Sequence, residues 1–367
     1  MRKVLGVIKP EIFYPSSREG DLRCVKTKGL PSSDCCLPFI SQSASLHKAL
    51  FIFYKTKMVP DSIIEAIGQV LEDQNRPLKE RFRALFTLKN LGGEAAIVAI
   101  SQCFSDPSAL LKHESAYCLG QMGDTRAIPT LTKILKDVEQ EPIVRHEAGE
   151  ALGAIGDPSV LDLLRSYSKD PVTEVAETCQ LAVGRIEWFQ KESNKGEKFE
   201  GADKFFSVDP TPPATDTDVE KLRERLLEES LPLFDRYRAM FSLRNLNSPE
   251  SAKALAAGFK CSSALFRHEI GFVLGQMSND VVVKELTAVV QDENENEMVR
   301  HEAAEALGSI ATVAAMAVLK EYQRDKARVV RESCEVALDM SEYENSSEFQ
   351  YADGLLKIEQ NENGMTG

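Results

Sequence analysis

The sequence predicts an all-α protein, a solenoid of short helical repeats arranged in two duplicated halves. Four of its five histidines are each followed by glutamate: His113, His146, His268 and His301. Their positions differ by 33 within each doublet (146 − 113 and 301 − 268) and by 155 between doublets (268 − 113 and 301 − 146). The segment "RFRALFTLKNL" at 81–91 also recurs as "RYRAMFSLRNL" at 236–246, again at an offset of 155 (236 − 81). A short repeat inside a longer duplication is typical of helical repeat arrays.

Each repeat has the pattern of two antiparallel helices. The segments "RAIPTLTKILKD" (126–137) and "EPIVRHEAGEALGAIGD" (141–157) place apolar residues three and four positions apart, with turn-forming residues between them. The T-P-L-H signature of ankyrin repeats is absent from the sequence, so HEAT-like helix pairs fit best. One pair cannot bury its own apolar face. We therefore expect about four stacked pairs in each half, which is above the minimum of about three.

Composition and repeat pattern divide the chain into two halves, a linker between them and a segment at each end. The N-terminal segment matches neither half, and we expect a disordered appendage, with Met58 as an alternative translation start. The linker loses helical periodicity and is rich in Lys, Gly, Asp and Pro, which predicts a connection that takes no part in the chemistry. The predicted bounds are 1–57 for the appendage, 58–190 for the first half, 191–218 for the linker, 219–343 for the second half and 344–367 for the C-terminal tail.

The composition favours a cytoplasmic protein with neither a nucleic-acid nor a membrane partner. The 44 Lys and Arg residues against 57 Asp and Glu leave a net charge of −13, which opposes phosphate contacts and suits a cationic partner. The eight cysteines form no CxxC motif and no zinc-ligand spacing, so we expect reduced thiols. Lys9 and Pro10 interrupt the apolar residues at the N-terminus, and no window approaches the roughly 20 apolar residues of a membrane span.

The four His-Glu pairs are the candidate functional residues. Equal steps of 33 along the numbering place Glu80, His113, His146 and Cys179 at one repeat position in the first half, and Asp235, His268, His301 and Cys334 in the second. The inner repeats therefore carry the histidines, and their next residues are Glu114, Glu147, Glu269 and Glu302. Equivalent residues of stacked repeats lie side by side, so each half presents two imidazoles and up to two carboxylates. Two histidines and one carboxylate are the ligand set of oxygen-activating non-haem iron.

A structural role is the alternative for any one such pair. A histidine at a helix start can bond to a backbone carbonyl, and glutamate is favoured at the positive N-terminus of a helix. Two matching doublets are harder to explain in this way, because no general packing requirement selects histidine in the inner repeats only.

Glycines recur on the histidine face of the predicted helices. A mid-helix glycine costs about 1 kcal/mol relative to alanine, so close packing or a ligand must compensate. We expect close packing at the four glycines that lie seven residues after each histidine. Gly149 and Gly271, three residues after His146 and His268, are instead predicted to clear a substrate channel. The four packing glycines are Gly120, Gly153, Gly275 and Gly308.

The four motifs together resemble one enzyme family. "LKHESAYCLGQMGD", "VRHEAGEALGAIGD", "FRHEIGFVLGQMSND" and "VRHEAAEALGSIA" are similar to the four HE motifs of deoxyhypusine hydroxylase, a HEAT-like di-iron monooxygenase. The resemblance runs from about Met58 to Gly354, includes "SVDPTPPA" and "FQYADGL", and does not account for residues 1–57. It implies hydroxylation of the deoxyhypusine side chain on the hypusine-containing translation factor, with two iron ions as cofactor and molecular oxygen as co-substrate.

The resemblance also implies which residues hold the metal. The family's motif residues fall on His113, Glu114, His146, Glu147, His268, Glu269, His301 and Glu302. We predict that Glu147 and Glu302 are direct iron ligands. Glu114 and Glu269 are predicted to hold the substrate amines or to orient the ligands. The substrate side chain is a long cation, which suits the acidic charge of the chain and the spare carboxylates.

Two other functions are compatible with the residue pattern taken alone. A non-catalytic HEAT scaffold would bind a partner along its concave face. A zinc or manganese hydrolase would use the same histidine and carboxylate ligands. The scaffold leaves the His-Glu doublets unexplained, whereas the identity of the metal separates the hydrolase from the oxygenase.

Overall fold

The chain folds into paired α-helices. The computed structural model describes residues 59–191, 204–346 and 351–354, so the predicted appendage at 1–57 lies outside the described residues. Within these ranges there is no β-strand. The helices are α1 (Asp61–Glu72), α2 (Leu78–Leu91), α3 (Gly93–Gln102), α4 (Ala109–Met122), α5 (Ile128–Lys136), α6 (Pro142–Ile155), α7 (Leu161–Tyr167), α8 (Thr173–Gln190), α9 (Val219–Leu227), α10 (Leu233–Leu246), α11 (Pro249–Ala256), α12 (Ala264–Met277), α13 (Val283–Gln291), α14 (Glu297–Ile310), α15 (Val313–Tyr322) and α16 (Arg328–Asn345).

The even-numbered helices form an inner layer. In the first half α4 packs beside α6 and α6 beside α8, and in the second half α12, α14 and α16 repeat this order. The helices that carry histidine are buried along most of their length. The odd-numbered helices bury one face, as in α5, where Leu131, Ile134 and Leu135 face inward. The prediction of an all-α, HEAT-like solenoid with about four helix pairs in each half is confirmed.

The repeat step is not uniform along the chain. The first positions of the inner helices differ by 31, then 33, then 31 in the first half (109 − 78, 142 − 109 and 173 − 142), and the second half repeats these steps. The turns differ in length: Gly92 alone separates α2 from α3, whereas residues 123–127 separate α4 from α5. The even-numbered helices begin at Leu78, Ala109, Pro142, Thr173, Leu233, Ala264, Glu297 and Arg328.

The alignment of the outer repeats by equal steps is therefore wrong by two positions. The histidines are the fifth residues of their helices, and the fifth residue of α2 is Phe82 and that of α8 is Glu177. In the second half the same position holds Tyr237 and Glu332. These residues replace Glu80, Cys179, Asp235 and Cys334 as the outer equivalents of the histidines.

A buried arginine joins the two helices of four pairs. Its Nε donates to the carbonyl ten residues earlier, at 2.7–3.1 Å, in the last turn of the preceding odd-numbered helix. Carbonyls in the last turn of a helix have no partner within that helix, so the guanidinium satisfies one of them and fixes the angle of the pair. The four arginines are Arg81, Arg145, Arg236 and Arg300.

The two halves close head to tail through two seams. At the first seam α8 contacts α10 and α12, and at the second seam α16 contacts α2 and α4. The Ser263 hydroxyl donates to Glu177 at 2.6 Å across the first seam, and the Ser108 hydroxyl donates to Glu332 at 2.6 Å across the second. The two bonds are equivalent in the duplication (263 − 108 and 332 − 177 are both 155). The halves are thus related by an approximate two-fold axis.

The second seam also contains a buried ion pair. Arg83 donates to both oxygens of Asp339, from Nε at 2.9 Å and from Nη2 at 3.2 Å. Asp353, which follows α16, accepts from Nη1 of the same guanidinium at 3.2 Å. The Gly354 amide donates to the Thr87 hydroxyl at 3.0 Å. The described residues after α16 therefore return across the seam to α2.

Residues 204–214 form a strap that contacts both halves. The Val208 amide donates to Gln121 on α4 at 2.7 Å, and Gln276 on α12 donates to the Ser207 hydroxyl at 3.0 Å. These glutamines are equivalent in the duplication (276 − 121 = 155). The part of the predicted linker that is described thus packs along the boundary between the halves, whereas residues 192–203 lie outside the described residues.

None of the described helices is long and apolar enough to span a membrane. The cysteines in this part of the chain are buried and free. Burial raises the pKa of Cys103, Cys179 and Cys334 to about 12, so these thiols stay protonated and unreactive.

One pair of helix ends yields a stability prediction. Gly156 ends α6 with φ +75°, and its equivalent Ala311 ends α14 with φ +56°, a conformation that costs a residue with a Cβ about 1–2 kcal/mol. Ala311→Gly removes this strain, but the greater conformational freedom of glycine in the unfolded chain offsets part of the gain. The variant should therefore raise the free energy of unfolding by roughly 0.5–1 kcal/mol. Gly156→Ala is the matched reverse variant and should lower it. Denaturant unfolding of both variants measures these changes. A change in the free energy of unfolding that has the same sign in both variants would contradict the prediction.

A second stability prediction concerns the second seam. Asp339→Ala removes the carboxylate that accepts two hydrogen bonds from the buried Arg83 guanidinium, and breaking a buried pair costs about 3–5 kcal/mol. We expect a loss of that order in the free energy of unfolding. Glu293→Ala, which breaks the exposed pair with Lys326, is the control and should cost less than about 1 kcal/mol. A similarly small loss for both variants would show that the seam does not depend on this pair.

Candidate metal centre

Four imidazole rings meet between the two halves. The ring centroid of His113 lies 5.5 Å from that of His146, 5.8 Å from that of His268 and 5.3 Å from that of His301. The His268 ring lies 5.3 Å from both His146 and His301. All four side chains are buried. The contact between the two halves thus brings together histidines from the inner repeats of both.

Serine caps two of the four helices that carry histidine. Ser108 caps α4 by accepting from the Leu111 amide, and Ser263 caps α12 by accepting from the Phe266 amide. The histidine then follows as the fifth helical residue, one turn inside the cap. The glutamate after it points about 100° away around the helix axis, so the two side chains of one pair reach different parts of the site.

In each half, one glutamate reaches the histidine of the neighbouring repeat. Glu147 Oε2 lies 3.2 Å from His113 Nε2, and the equivalent Glu302 Oε2 lies 3.3 Å from His268 Nε2. These contacts lack hydrogen-bond geometry, because both Nε2 atoms are buried with no hydrogen-bond partner among the described residues. The donor atoms therefore converge on a shared space rather than on each other.

Two groups of donor atoms are compact enough to hold one cation. One group is His113, His146 and Glu147, and the other is His113, His268 and His301. Within each group the donor atoms lie within 4.8 Å of one another. The first group lies in one half, whereas the second crosses between the halves. Since His113 belongs to both groups, the two halves contribute to a single site.

Three of the imidazoles are neutral at pH 7. Burial lowers the pKa of His146, His268 and His301 well below its usual value, and the charge of neighbouring imidazoles lowers it further. Burial acts in the same direction on His113, but the carboxylates of Glu147 and Glu114 raise the pKa of that ring well above its usual value. Neutral imidazole nitrogens with free lone pairs are the form that binds metal ions.

Six glutamates surround the imidazoles. Burial raises the pKa of Glu269 and Glu302 well above its usual value, and neighbouring carboxylates raise it further. Burial likewise raises the pKa of Glu305 to about 7. Crowded carboxylates beside neutral imidazoles fit a cation with mixed nitrogen and oxygen ligands, such as a transition metal. The six are Glu114, Glu147, Glu150, Glu269, Glu302 and Glu305.

A small cavity of about 20 Å³ opens beside the imidazoles. Three of its lining residues, Tyr117, Glu150 and Phe272, are not among the residues predicted from sequence. Each lies four positions after a histidine and so shares its helix face, a signal that sequence reasoning missed. The lining residues are His113, Glu114, Tyr117, Glu147, Glu150, His268, Glu269, Phe272 and Glu302.

The glycines on the histidine face allow close helix packing. A Cβ added to Gly120 would lie 2.7 Å from the Ala151 Cα atom, and one on Gly153 would lie 2.9 Å from the Ala182 Cα atom, both on the next inner helix. The equivalent glycines of the second half, Gly275 and Gly308, pack against Ala306 and Ala337 in the same way.

Gly149 and Gly271, which are predicted to clear a substrate channel, pack against neighbouring inner helices. A Cβ added to Gly149 would meet Cys179 at 3.3 Å and Thr178 at 3.4 Å, both on α8. One added to Gly271 would lie 3.0 Å from Cγ of Glu302. Neither glycine is among the residues that line the cavity. Gly149 therefore makes room for a helix, and Gly271 makes room for the Glu302 side chain.

The fold and the site define a helical-repeat protein with a buried His/Glu cluster suited to a metal ion. The HEAT repeat family model matches residues 64–141, 98–184 and 252–339. Deoxyhypusine hydroxylases of Rattus norvegicus and Homo sapiens are each 61% identical over 301 residues, covering 82% of this chain and 99% and 98% of the relatives. The chain belongs to the deoxyhypusine hydroxylase family.

A solved structure agrees with this membership. The structure of human deoxyhypusine hydroxylase in complex with glycerol matches with a TM-score of 0.74 and 58% identity, covering 82% of this chain and 99% of that one. Relatives of this identity over nearly their whole length favour an enzyme over the non-catalytic scaffold and over the zinc or manganese hydrolase.

The raised pKa of Glu305 predicts that the metal-free protein becomes less stable to unfolding as pH rises. The pKa of the Glu305 carboxyl group is raised from 4.5 to about 7 in the folded protein. The contribution of this group to stability is therefore fully present below pH 4.5 and is lost as pH rises through 7. The stability of Glu305→Gln relative to the wild type should therefore increase between pH 5 and pH 8, by about 1–3 kcal/mol at roughly 1.4 kcal/mol per pKa unit. Thermal unfolding at both pH values, with exposed Glu297→Gln as control, measures this. A difference that does not depend on pH would contradict the assignment.

Proposed function

We propose that this chain is a di-iron, oxygen-dependent monooxygenase that hydroxylates the deoxyhypusine side chain of the hypusine-containing translation factor. The observation that carries the proposal is the pair of equivalent contacts, Glu147 with His113 and Glu302 with His268, in a member of a family named for this reaction. Two irons and molecular oxygen would supply an oxidant for an unactivated C–H bond, which amino-acid side chains cannot supply.

The proposed ligands of the first iron are His113, His146 and Glu147. Support comes from their compact donor group and from the 3.2 Å contact between Glu147 and His113. Two histidines and one carboxylate leave open positions on the metal, as oxygen-activating iron requires. Glycine at position 149 is expected to help by letting α8 pack tightly behind this group.

The proposed ligands of the second iron are His268, His301 and Glu302, the equivalents of the first set. The 3.3 Å contact between Glu302 and His268 repeats the contact in the first half. Gly271 supports this set because a side chain there would press on Glu302. The alternative group that crosses the halves would leave His146 without a role, so we favour one iron in each half.

Glu114 and Glu269 are proposed to hold the substrate amines. Both line the cavity, and Glu269 Oε1 is buried without a hydrogen-bond partner among the described residues. A carboxylate in such a place gains from an ammonium group, which restores the bonds that burial removes. The net charge of −13 would also draw a cationic side chain toward the cavity. From the same composition we infer a cytoplasmic enzyme without a nucleic-acid or membrane partner.

Metal analysis and product analysis test the proposal together. Purified protein reconstituted with ferrous iron should bind two irons per chain and develop a visible absorption band in air. A deoxyhypusine-containing peptide should then gain one oxygen atom by mass spectrometry. Colourless protein that contains zinc would favour the hydrolase, and protein that binds no metal would favour the scaffold.

The glutamate roles give a further prediction. Glu147→Ala and Glu302→Ala should each lower bound iron, because the loss removes a donor and the charge that balances the metal. The matched variants Glu114→Ala and Glu269→Ala should retain iron and bind the cationic substrate more weakly, by about 2–5 kcal/mol. Iron stoichiometry and peptide affinity of the four variants measure this. Iron loss confined to the Glu114 and Glu269 variants would reverse the assignment.

A further inference from the structure

The candidate ligands are related by the approximate two-fold axis, whereas the proposed substrate side chain has no such symmetry. The duplication relates His113 to His268 and Glu147 to Glu302 (268 − 113 and 302 − 147 are both 155). The deoxyhypusine side chain has two different ends, a secondary amine on the protein side and a free primary amine. A cavity with two equivalent walls would accept that chain in two opposite placements. Residues that break the symmetry must therefore decide which half receives the free amine.

The first departure from two-fold symmetry is an aromatic pair in the cavity. Tyr117 and Phe272 are equivalent (272 − 117 = 155), and their rings meet edge to face with centroids 6.0 Å apart. Both residues line the cavity. The Tyr117 hydroxyl is buried with no hydrogen-bond partner among the described residues, whereas Phe272 offers no polar atom. An unpartnered hydroxyl in such a place costs stability, so a ligand is expected to use it.

The second departure from two-fold symmetry is a carboxylate in the same half as Tyr117. Glu150 lines the cavity, but its equivalent Glu305 does not. Glu305 lies instead 3.3 Å from the donating Ser333 hydroxyl and 3.6 Å from His301 Nδ1. The equivalent of Ser333 is Thr178, whose hydroxyl has no hydrogen-bond partner among the described residues, so Glu150 is not drawn away in this manner.

These two differences give the wall of the first half a hydroxyl and a carboxylate that have no counterpart in the cavity wall of the second half. We propose that Tyr117 and Glu150 bind the free amino group of the substrate side chain, and that the apolar Phe272 wall excludes it from the opposite half. An ammonium group donates three hydrogen bonds, and a hydroxyl and a carboxylate are suitable acceptors for two of them. The inference rests on the proposed function and adds to it the orientation of the substrate.

A peptide pair isolates the amino group. One peptide carries N-(4-aminobutyl)lysine, and the other carries N-butyllysine, which lacks the terminal amine. Affinity of the metal-free full-length protein for each peptide is measured by fluorescence anisotropy. Tyr117→Phe and Glu150→Gln should each weaken binding of the aminobutyl peptide about ten- to a hundredfold, the effect of one hydrogen bond to a charged group. Binding of the butyl peptide should stay unchanged.

The control variant is Tyr237→Phe. It removes a buried hydroxyl of the second half that donates to the Leu265 carbonyl and does not line the cavity. Its affinity for both peptides should equal that of the wild type. The thermal stability of Tyr117→Phe should be unchanged or higher, because the lost hydroxyl has no hydrogen-bond partner among the described residues.

A second readout follows orientation directly. Phe272→Tyr makes the two aromatic walls alike, so the iron-loaded variant should hydroxylate the aminobutyl chain at more than one carbon, as resolved by fragment mass spectrometry. Equal loss of affinity for both peptides in Tyr117→Phe, or no loss in Tyr117→Phe and Glu150→Gln, would overturn the inference. If the wild type neither binds nor hydroxylates the aminobutyl peptide, the proposed function itself fails.

Discussion

The closure of the two halves into a ring is the constraint on which the site depends. Each half alone places two histidines on neighbouring helices, and only head-to-tail contact at both seams buries all four against one another. The seams use the same bond twice, Ser263 to Glu177 and Ser108 to Glu332, at the starts of the helices that carry His268 and His113. The serine hydroxyl that donates across each seam therefore also caps a helix that carries a histidine of the candidate site.

The remainder of the structure offsets the cost of that burial. Four imidazoles and six glutamates in one interior are unfavourable without a counter-charge, and this is reflected in the raised pKa of Glu269 and the lowered pKa of His146. The layers around them are stabilised by the buried arginines between paired helices and by glycine-to-alanine contacts between inner helices. A rigid framework holding destabilising polar groups at its centre is the arrangement expected of a functional site.

The sequence predicts the repeat class and the candidate ligands because both depend on local periodicity. The duplication survives in the segments themselves, and His-Glu doublets stand out in a chain with five histidines. The outer repeats are misaligned by equal steps because turn lengths vary, as Gly92 against residues 123–127 shows. The partners of Ser108 and Ser263, and the contacts of the strap, join residues far apart in the chain and leave no local pattern. Tyr117 and Phe272 share the histidine face, but their importance emerges only when the two halves are placed opposite each other.

The most direct test of the shared site is the position of the metal. Crystals of the protein loaded with ferrous iron can be measured at the iron absorption edge, where anomalous difference maps locate each iron without reference to the ligand assignment. Ring closure around two equivalent ligand sets predicts two iron peaks in the one cavity, the first beside His113, His146 and Glu147 and the second beside their equivalents. A single peak shared by His113, His268 and His301, or peaks outside the cavity, would contradict it.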